Sequence, residues 1–293
     1  MRLLNASGCL DALTAPDVAR SLDAFVTKTV TPLPRQGNPP VRIAECDHAM
    51  LNSIGLANPG IDRFVDETLP TLAGLGVPLW VSVGGFCAED YAGAIARLGD
   101  APGIDVIELN VSCPNVHAPS ESAWEIVAAA RAATTRPLWA KLSPAVPDVA
   151  SVAVAAAEAG ADGLSLVNTI RGLALDERTL RPRLSTAAGG MSGPGLRPIA
   201  LAAVHAAYAA TGLPILGMGG VSTGRHVLEL LAVGAADVAL GTVLFADPYA
   251  PARIRAELAE ELDRAGLARP EDAVGIAHAA PPTRVGRAAA ASA

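Results

Sequence analysis

The sequence predicts an α/β protein with the TIM (β/α)8 barrel fold, and three observations support this. Short runs rich in Val, Ile and Leu alternate with longer Ala-rich stretches of helical period, a pattern typical of parallel βαβ units. There are eight such runs, which is the strand count of the barrel. Polar residues and glycines follow the runs, and a barrel would gather them on one face. A doubly wound open sheet is the alternative, in which they would be spread along an edge.

Each predicted strand is a short apolar run followed by a helical stretch. The predicted strands cover residues 3–6, 24–28, 78–83, 104–110, 137–142, 162–167, 213–217 and 236–240. The predicted helices lie near residues 16–22, 61–75, 88–98, 122–133, 147–159, 196–210, 223–233 and 248–265. Two long stretches, 29–60 and 168–195, are rich in Pro, Gly and Asn, so we predict irregular functional loops there. We expect residues 1–280 to form a single barrel domain and residues 281–293 to be a flexible tail.

The composition excludes several classes of protein. The 293 residues carry a formal net charge of −7, which gives no basic field for nucleic acid. No apolar run reaches the roughly 18 residues of a membrane span, and no signal peptide is visible. The cysteines are widely spaced and the five histidines form no ligand-like pair, so we predict neither a metal site nor a disulfide framework. These features are typical of a soluble cytoplasmic protein.

Two glycine-containing segments follow the last two predicted strands, MGGVSTG after 213–217 and LGTVLF after 236–240. Glycines let backbone N–H groups approach an anion closely, and the start of the next helix adds its positive dipole end. The loops after strands seven and eight commonly hold a phosphate in these barrels. Tight turns would also use glycines, but glycines after both strands favour a phosphate site.

Cys113 lies in the segment ELNVSCPN, three residues beyond the end of the fourth predicted strand. An isolated cysteine is most often an apolar filler, and we assign that structural role to Cys9, Cys46 and Cys87. Polar neighbours surround Cys113, in a loop over the barrel mouth where a filler is not needed. A thiol, whose ordinary pKa is about 8.5, can be tuned to remove a carbon-bound proton. We therefore expect Cys113 to be a catalytic base.

Two lysines, Lys28 and Lys141, end predicted strands and are expected to point into the barrel mouth. An ammonium group there would stabilise the negative charge of a reduced flavin near its N1 atom. Four asparagines belong to the same set: Asn52, Asn110, Asn115 and Asn168. Each alone is typical of a turn, but together these amides can donate to and accept from a polar heterocycle.

Eight segments occur in a characteristic order: VTKTVTPLPRQGNPPVR, LNSIGLANPG, ELNVSCPN, AKLSP, LVNTIRGLALD, GGMSGP, GMGGVSTG and LGTVLF. From about residue 4 to residue 250 the chain resembles the class 1 dihydroorotate dehydrogenases, most specifically in NVSCPN and the upstream LNSIGL. The resemblance implies an FMN-containing barrel that oxidises (S)-dihydroorotate to orotate in pyrimidine biosynthesis. It also implies that Cys113 removes the C5 proton while a hydride passes from C6 to flavin N5.

The resemblance further implies roles for individual residues. The residues expected to bind the substrate are Lys28, Asn52, Ile54, Gly55, Leu56, Asn110, Asn115, Asn168 and Thr169, with the backbone of Ile54–Leu56 at the carboxylate. The residues expected to bind FMN are Ser7, Lys28, Thr29, Asn110, Lys141, Val167, Gly193, Gly219, Gly220, Gly241 and Thr242. The last four of these would hold the phosphate. The chain departs from the family pattern at Ser82, where an asparagine is usual, and in a shortened segment after NVSCPNV.

Within the family, NTIRGLALD and GGMSGP are more similar to the NAD-linked branch (class 1B) than to the fumarate-linked branch. The NAD-linked branch implies a separate electron-transfer subunit that carries FAD and an iron–sulfur cluster, together with a homodimeric core. Two alternatives are kept. The chain could be a related FMN barrel that oxidises another dihydropyrimidine such as dihydrouracil, or a phosphate-binding barrel without redox function.

Overall fold

A closed barrel of parallel strands forms the centre of the protein, as seen in a computed structural model that describes residues 1–111 and 119–280. The strands of the described residues are Leu3–Asn5 (β1), Phe25–Val26 (β2), Ile43–Cys46 (β3), Ala49–Asn52 (β4), Leu79–Val83 (β5), Val106–Asn110 (β6), Leu138–Leu142 (β7), Gly163–Leu166 (β8), Ile170–Leu173 (β9), Ala188–Ser192 (β10), Ile215–Met218 (β11) and Asp237–Leu240 (β12). Eight of them form one sheet in the order β1-β12-β11-β8-β7-β6-β5-β2. All eight predicted strands are therefore confirmed, with ends that differ by a few residues.

The barrel closes between β1 and β2. Leu4 and Ala24 form a parallel bridge across this seam. The Asn5 side chain completes it, since its Nδ2 donates to the Val26 carbonyl at 2.7 Å and its Oδ1 accepts from the Val26 N–H at 2.8 Å. A side-chain amide thus replaces part of a backbone ladder at the point where the sheet closes on itself.

Helices surround the barrel and follow the strands in sequence. They are Pro16–Arg20 (α1), Ile61–Arg63 (α2), Leu69–Ala73 (α3), Ala88–Leu98 (α4), Pro119–Ala132 (α5), Val149–Glu158 (α6), Arg197–Thr211 (α7), Gly224–Ala232 (α8), Val243–Ala246 (α9) and Ala250–Ala265 (α10), with a π-helical turn at Phe64–Thr68 between α2 and α3 and 3₁₀ turns at Pro194–Leu196 and Pro270–Ala273. The eight predicted helical stretches match this pattern, and among the described α-helices only the short α9 was not predicted. Helical spacing explains the packing of α4, which buries Tyr91, Ala94, Ile95 and Leu98 against the barrel. None of the described helices is both long and apolar enough to cross a membrane.

The interior of the barrel is filled by large side chains at its lower, amino-terminal end. Trp80 and Trp139 pack there with ring centroids 4.8 Å apart, together with Leu4, Val26 and Leu216. Further up the same strands the inward positions become polar. The barrel is therefore closed below by apolar packing and open above, which places the site at the carboxyl ends of the strands.

The two long segments predicted to be irregular loops contain a second sheet, and on this point the prediction was wrong. The order of this four-stranded antiparallel sheet is β3-β4-β10-β9. Residues 29–60 supply one hairpin, and residues 168–195 supply the other. The β10 sequence AGGMS lacks the alternation of apolar and polar residues that indicates a strand. Its pairing with β4 and β9 therefore comes from contacts between distant parts of the chain.

Candidate active site

A cavity of about 570 Å³ opens at the carboxyl ends of the barrel strands, a size typical of small-molecule sites. Barrel loops form its floor and one side, and β4 and β10 of the small sheet form the opposite wall. Of the residues predicted to bind substrate or cofactor, those within the described residues all line it: Ser7, Lys28, Thr29, Asn52, Ile54, Gly55, Leu56, Asn110, Lys141, Val167, Asn168, Thr169, Gly193, Gly219, Gly220, Gly241 and Thr242. Cys113 and Asn115 lie outside the described residues.

One end of the cavity is built from glycines after β11 and β12. Gly219 and Gly220 have φ values of +124° and +73°, a region that residues with a side chain rarely adopt. A Cβ atom on Gly220 would lie 2.8 Å from the carbonyl oxygen of Gly193. Gly241 and Thr242 come from the neighbouring strand end and line the same end. Only glycine fits where these loops meet, so an anionic group can be approached closely by backbone atoms.

A chain of hydrogen bonds runs across the floor of the cavity. Thr29 is its centre, with Oγ1 lying 3.3 Å from Ser7 Oγ and 3.0 Å from Ser82 Oγ. Asn110 Nδ2 donates to Thr29 Oγ1 at 3.4 Å, and Asn168 Nδ2 donates to Asn110 Oδ1 at 3.0 Å. Ser82, the position where the family usually has an asparagine, thus takes part in this chain through its hydroxyl. The network holds the amides in defined orientations.

The small sheet presents neutral polar groups to the cavity. Asn52 Nδ2 donates to the Gly190 carbonyl at 3.2 Å, which fixes the side chain at the end of β4. A Cβ atom on Gly190 would lie 2.2 Å from Thr169 Oγ1. The absence of a side chain at this position therefore leaves room for Thr169 and Asn52 to lie side by side.

The two lysines lie on the barrel side of the cavity. Burial lowers the pKa of Lys28 below its ordinary value, and the positive charge of Lys141 lowers it further. Cys9 also lines the cavity. Burial raises the pKa of its thiol, although the ammonium groups of Lys141 and Lys28 act in the opposite direction. The two lysines thus place positive charge on the barrel side of the cavity, where a bound anion would meet it.

Several lining residues were not predicted from the sequence. The Arg35 guanidinium lies over the Phe86 ring at 4.8 Å, and its Nε donates to the Gly55 carbonyl at 3.2 Å. Phe86 is an exposed aromatic residue at the entrance, and Phe245 of α9 is another. A lone arginine in the segment PLPRQGNPP was a usable signal for Arg35. Nothing in the sequence pattern marks the two phenylalanines.

Comparisons with known proteins agree with this geometry. Residues 2–262 match the family described as dihydroorotate dehydrogenase. A putative dihydroorotate dehydrogenase A (fumarate) of Solibacter usitatus is 45% identical over 262 residues, which cover 87% of this chain and 86% of that protein. The catalytic subunit of dihydroorotate dehydrogenase B (NAD(+)) of Desulforudis audaxviator is 44% identical over 265 residues, with 88% and 86% covered.

A similar catalytic subunit of dihydroorotate dehydrogenase B (NAD(+)) occurs in Listeria monocytogenes, 41% identical over 253 residues, with 84% of this chain and 83% of that protein covered. Among solved structures, DHODH of Eimeria tenella in complex with ferulenol superposes with a TM-score of 0.79 at 24% identity, covering 95% of this chain and 85% of that one. The structural likeness supports the barrel fold, and the sequence likeness supports the family resemblance carried by the motifs.

Proposed function

The chain belongs to the dihydroorotate dehydrogenase family of oxidoreductases, and we propose that it oxidises (S)-dihydroorotate to orotate with bound FMN in pyrimidine biosynthesis. One observation carries the proposal. A single cavity joins a glycine-lined end suited to a phosphate with a side that carries two lysines and several oriented amides. A flavin nucleotide needs both the glycine-lined end and the polar side, and a planar anionic pyrimidine needs the polar side.

The cavity fits FMN at both ends. The backbone at Gly219, Gly220, Gly241 and Thr242 would receive the phosphate, since a Cβ at Gly220 would fill the space between that loop and Gly193. Lys141 would lie near the pyrimidine edge of the ring system, where negative charge develops on reduction. When bound, FMN supplies the hydride acceptor for the reaction.

Substrate would lie between the barrel side and the small sheet. Lys28 supplies a positive charge to the anionic substrate, and Asn52, Asn110 and Asn168 supply amides held by the hydrogen bonds described above. The backbone at Ile54–Leu56 would receive the carboxylate, close to Arg35, whose Nε contacts the Gly55 carbonyl. Thr169 completes this binding set, and Asn115 is proposed to join it.

Cys113 is proposed as the base that takes the C5 proton. It follows β6 by three residues, and β6 ends at Asn110 on the cavity floor. Cys113→Ser should leave FMN binding intact and slow flavin reduction by about 10²–10⁴-fold, with the rate still rising at higher pH, because a hydroxyl is a far weaker acid than a thiol. Stopped-flow flavin reduction measures this, and an unchanged rate would remove Cys113 from the role.

The function is tested by mixing the purified chain anaerobically with dihydroorotate. The protein should be yellow, release FMN on denaturation and lose its flavin absorbance on reduction. Bleaching by dihydrouracil but not by dihydroorotate would assign another dihydropyrimidine as substrate. Colourless protein that takes up no FMN would instead favour a phosphate-binding barrel without redox function.

The electron acceptor is proposed to be NAD, reached through a partner. Two of the relatives above are named as catalytic subunits of NAD(+) enzymes, although one is named as a fumarate enzyme. Among the described residues no group of three His, Cys, Asp or Glu side chains lies close enough together to hold a metal ion. In line with the NAD-linked relatives, we propose a cytoplasmic homodimeric core that binds a subunit carrying FAD and an iron–sulfur cluster. Co-purification from the native cell, followed by iron and FAD analysis, tests this.

A further inference from the structure

A carboxylate lies inside the barrel directly beneath the cavity. Glu108 is the middle residue of β6, where neighbouring side chains alternate between the interior and the helices. Its strand partner is Trp139, whereas Lys141 is paired with Asn110. Glu108 is thus one step deeper in the barrel than the residues that line the floor, and it is fully buried.

The surroundings of Glu108 leave the hydrogen-bonding capacity of its carboxylate unused. Neither carboxylate oxygen has a hydrogen-bond partner among the described residues. Lys141 Nζ lies 3.8 Å from Glu108 Oε1, and the lysine side chain is itself almost fully buried. Ser165, the strand partner of Lys141 on β8, has a buried hydroxyl that also has no hydrogen-bond partner within the described part of the chain. Burying an acid whose strand partner is a tryptophan is strongly unfavourable unless a charge compensates it.

The balance of charge at the cavity depends on this acid. Lys28 and Lys141 both line the cavity, and each is positively charged in its protonated form. Within the part of the chain that the structure describes, Glu108 is the one acid that forms an ion pair with either lysine. Without it, the ammonium groups of half-buried Lys28 and buried Lys141 would face the ligand with no acid paired to them among the described residues.

We propose that Glu108 is a positioning residue that holds the Lys141 ammonium group at the cavity floor and compensates its charge, and so limits how strongly the site favours reduced flavin. The effect on flavin reduction rests on the proposed function, whereas the ion pair does not. A reduced flavin carries negative charge near N1, which an uncompensated ammonium group stabilises more than a paired one. The acid therefore keeps the reduced state from becoming too stable to pass its electrons onward.

Redox titration of the flavin-loaded full chain against a reference dye tests the link to the flavin. Glu108→Gln should favour reduction by at least about tenfold in equilibrium constant, about 30 mV for a two-electron couple, and Lys141→Met should disfavour it. In the Lys141→Met background Glu108→Gln should have a smaller effect, because the ammonium group whose charge the acid compensates is then absent. An unchanged or lowered potential in Glu108→Gln, or equal shifts in both backgrounds, would overturn the proposal.

Two further variants sharpen this test. Ser165→Ala is the matched control, since it removes a neighbouring buried polar group without changing any charge, and the potential should stay at the wild-type value. Glu108→Asp keeps the charge but withdraws it by one methylene, so the potential should move part of the way towards that of Glu108→Gln. An aspartate variant with a shift as large as that of glutamine would argue against charge compensation.

Thermal unfolding of the full chain without added flavin tests the pair itself. Glu108→Gln and Lys141→Met should each lower the melting temperature, and the double variant should lose less than the sum of the two. Failure of Glu108→Gln to fold while the double variant folds would support the pair equally well. Additive losses would refute it. Coupling in a chain that binds no FMN would refute the proposed function but leave the ion pair standing.

Discussion

The barrel and the small antiparallel sheet supply opposite sides of one cavity, and they are held together differently. The barrel side carries the charges, Lys28 and Lys141, at the ends of strands whose interior is packed by two tryptophans. The strands of the small sheet present neutral groups such as Asn52 to the cavity. Among the described residues the buried members of the sheet's own apolar cluster are only Ala44, Leu51 and Leu184. The tightly packed barrel thus positions the two lysines, while a lightly packed sheet shapes the space for the ligand.

The largest effect is expected in the barrel interior. Trp139→Ala removes a buried ring that contacts Trp80 and should cost about 3–5 kcal/mol of unfolding free energy. Urea unfolding measures it. Trp124→Ala is the control, since Trp124 is 45% exposed on α5 and should change stability by no more than about 0.5 kcal/mol. Similar losses in both variants would show that the barrel interior is not the stabilising region.

In the sheet, the corresponding change should affect binding and spare stability. Gly190→Ala places a Cβ atom 2.2 Å from Thr169 Oγ1, which is too close. Strand β10 must therefore shift, and the hydrogen bond from Asn52 to the carbonyl of residue 190 is lost. Asn52 and Thr169 are then misplaced, and the loss of one substrate hydrogen bond from each, at about 1 kcal/mol apiece, should raise KM for dihydroorotate about tenfold or more. Steady-state kinetics with a parallel melting curve measures both quantities. A large fall in melting temperature would erase the distinction between the two regions.

The two sides of the cavity should also differ in their response to pH. The pKa of Lys28 is lowered, chiefly by burial, so as the pH rises its ammonium group loses its proton before the ordinary pKa of 10.5 is reached. Binding of anionic orotate should weaken by up to about tenfold per pH unit once the pH exceeds that lowered value. The sheet contributes Asn52, which does not titrate. Calorimetric titration with orotate measures the slope, and Lys28→Arg should abolish it because arginine stays charged. Equal slopes in both proteins would assign the titration elsewhere.

The smallest effect is expected at a glycine where an added side chain would contact no other part of the molecule. A Cβ atom on Gly93 of α4 would meet no atom within 4 Å. Gly93→Ala should therefore stabilise the chain by about 0.5–1 kcal/mol through its helix propensity, with KM unchanged. Urea unfolding of Gly93→Ala and Gly190→Ala side by side measures the free energy of unfolding of each. The comparison shows whether the steric contact of the new Cβ atom, and not the replacement of glycine itself, determines the change in stability. A destabilised Gly93→Ala variant would contradict this.

The barrel could be predicted because each of its strands is a local apolar run that polar or glycine residues follow closely. The small sheet could not, since its strands are short and partly exposed, and those of its second hairpin contain glycines. Asn52 and Gly190, which join its two hairpins, are 138 residues apart in the chain. For the site, strand-end positions and family motifs predicted the residues that line the cavity, but Arg35 and Phe86 come together only through loop packing.

By itself, the sequence determined the number and order of the barrel strands and the residues at their ends, because hydrophobic periodicity is a local property of the chain. The tertiary structure alone decided which side chains face one another. Glu108 looks like an isolated charge in an apolar run, and only the register of β6 against β7 places it beside Lys141. Register depends on contacts between distant strands, so the charge balance of the cavity cannot be obtained from any one segment of the chain.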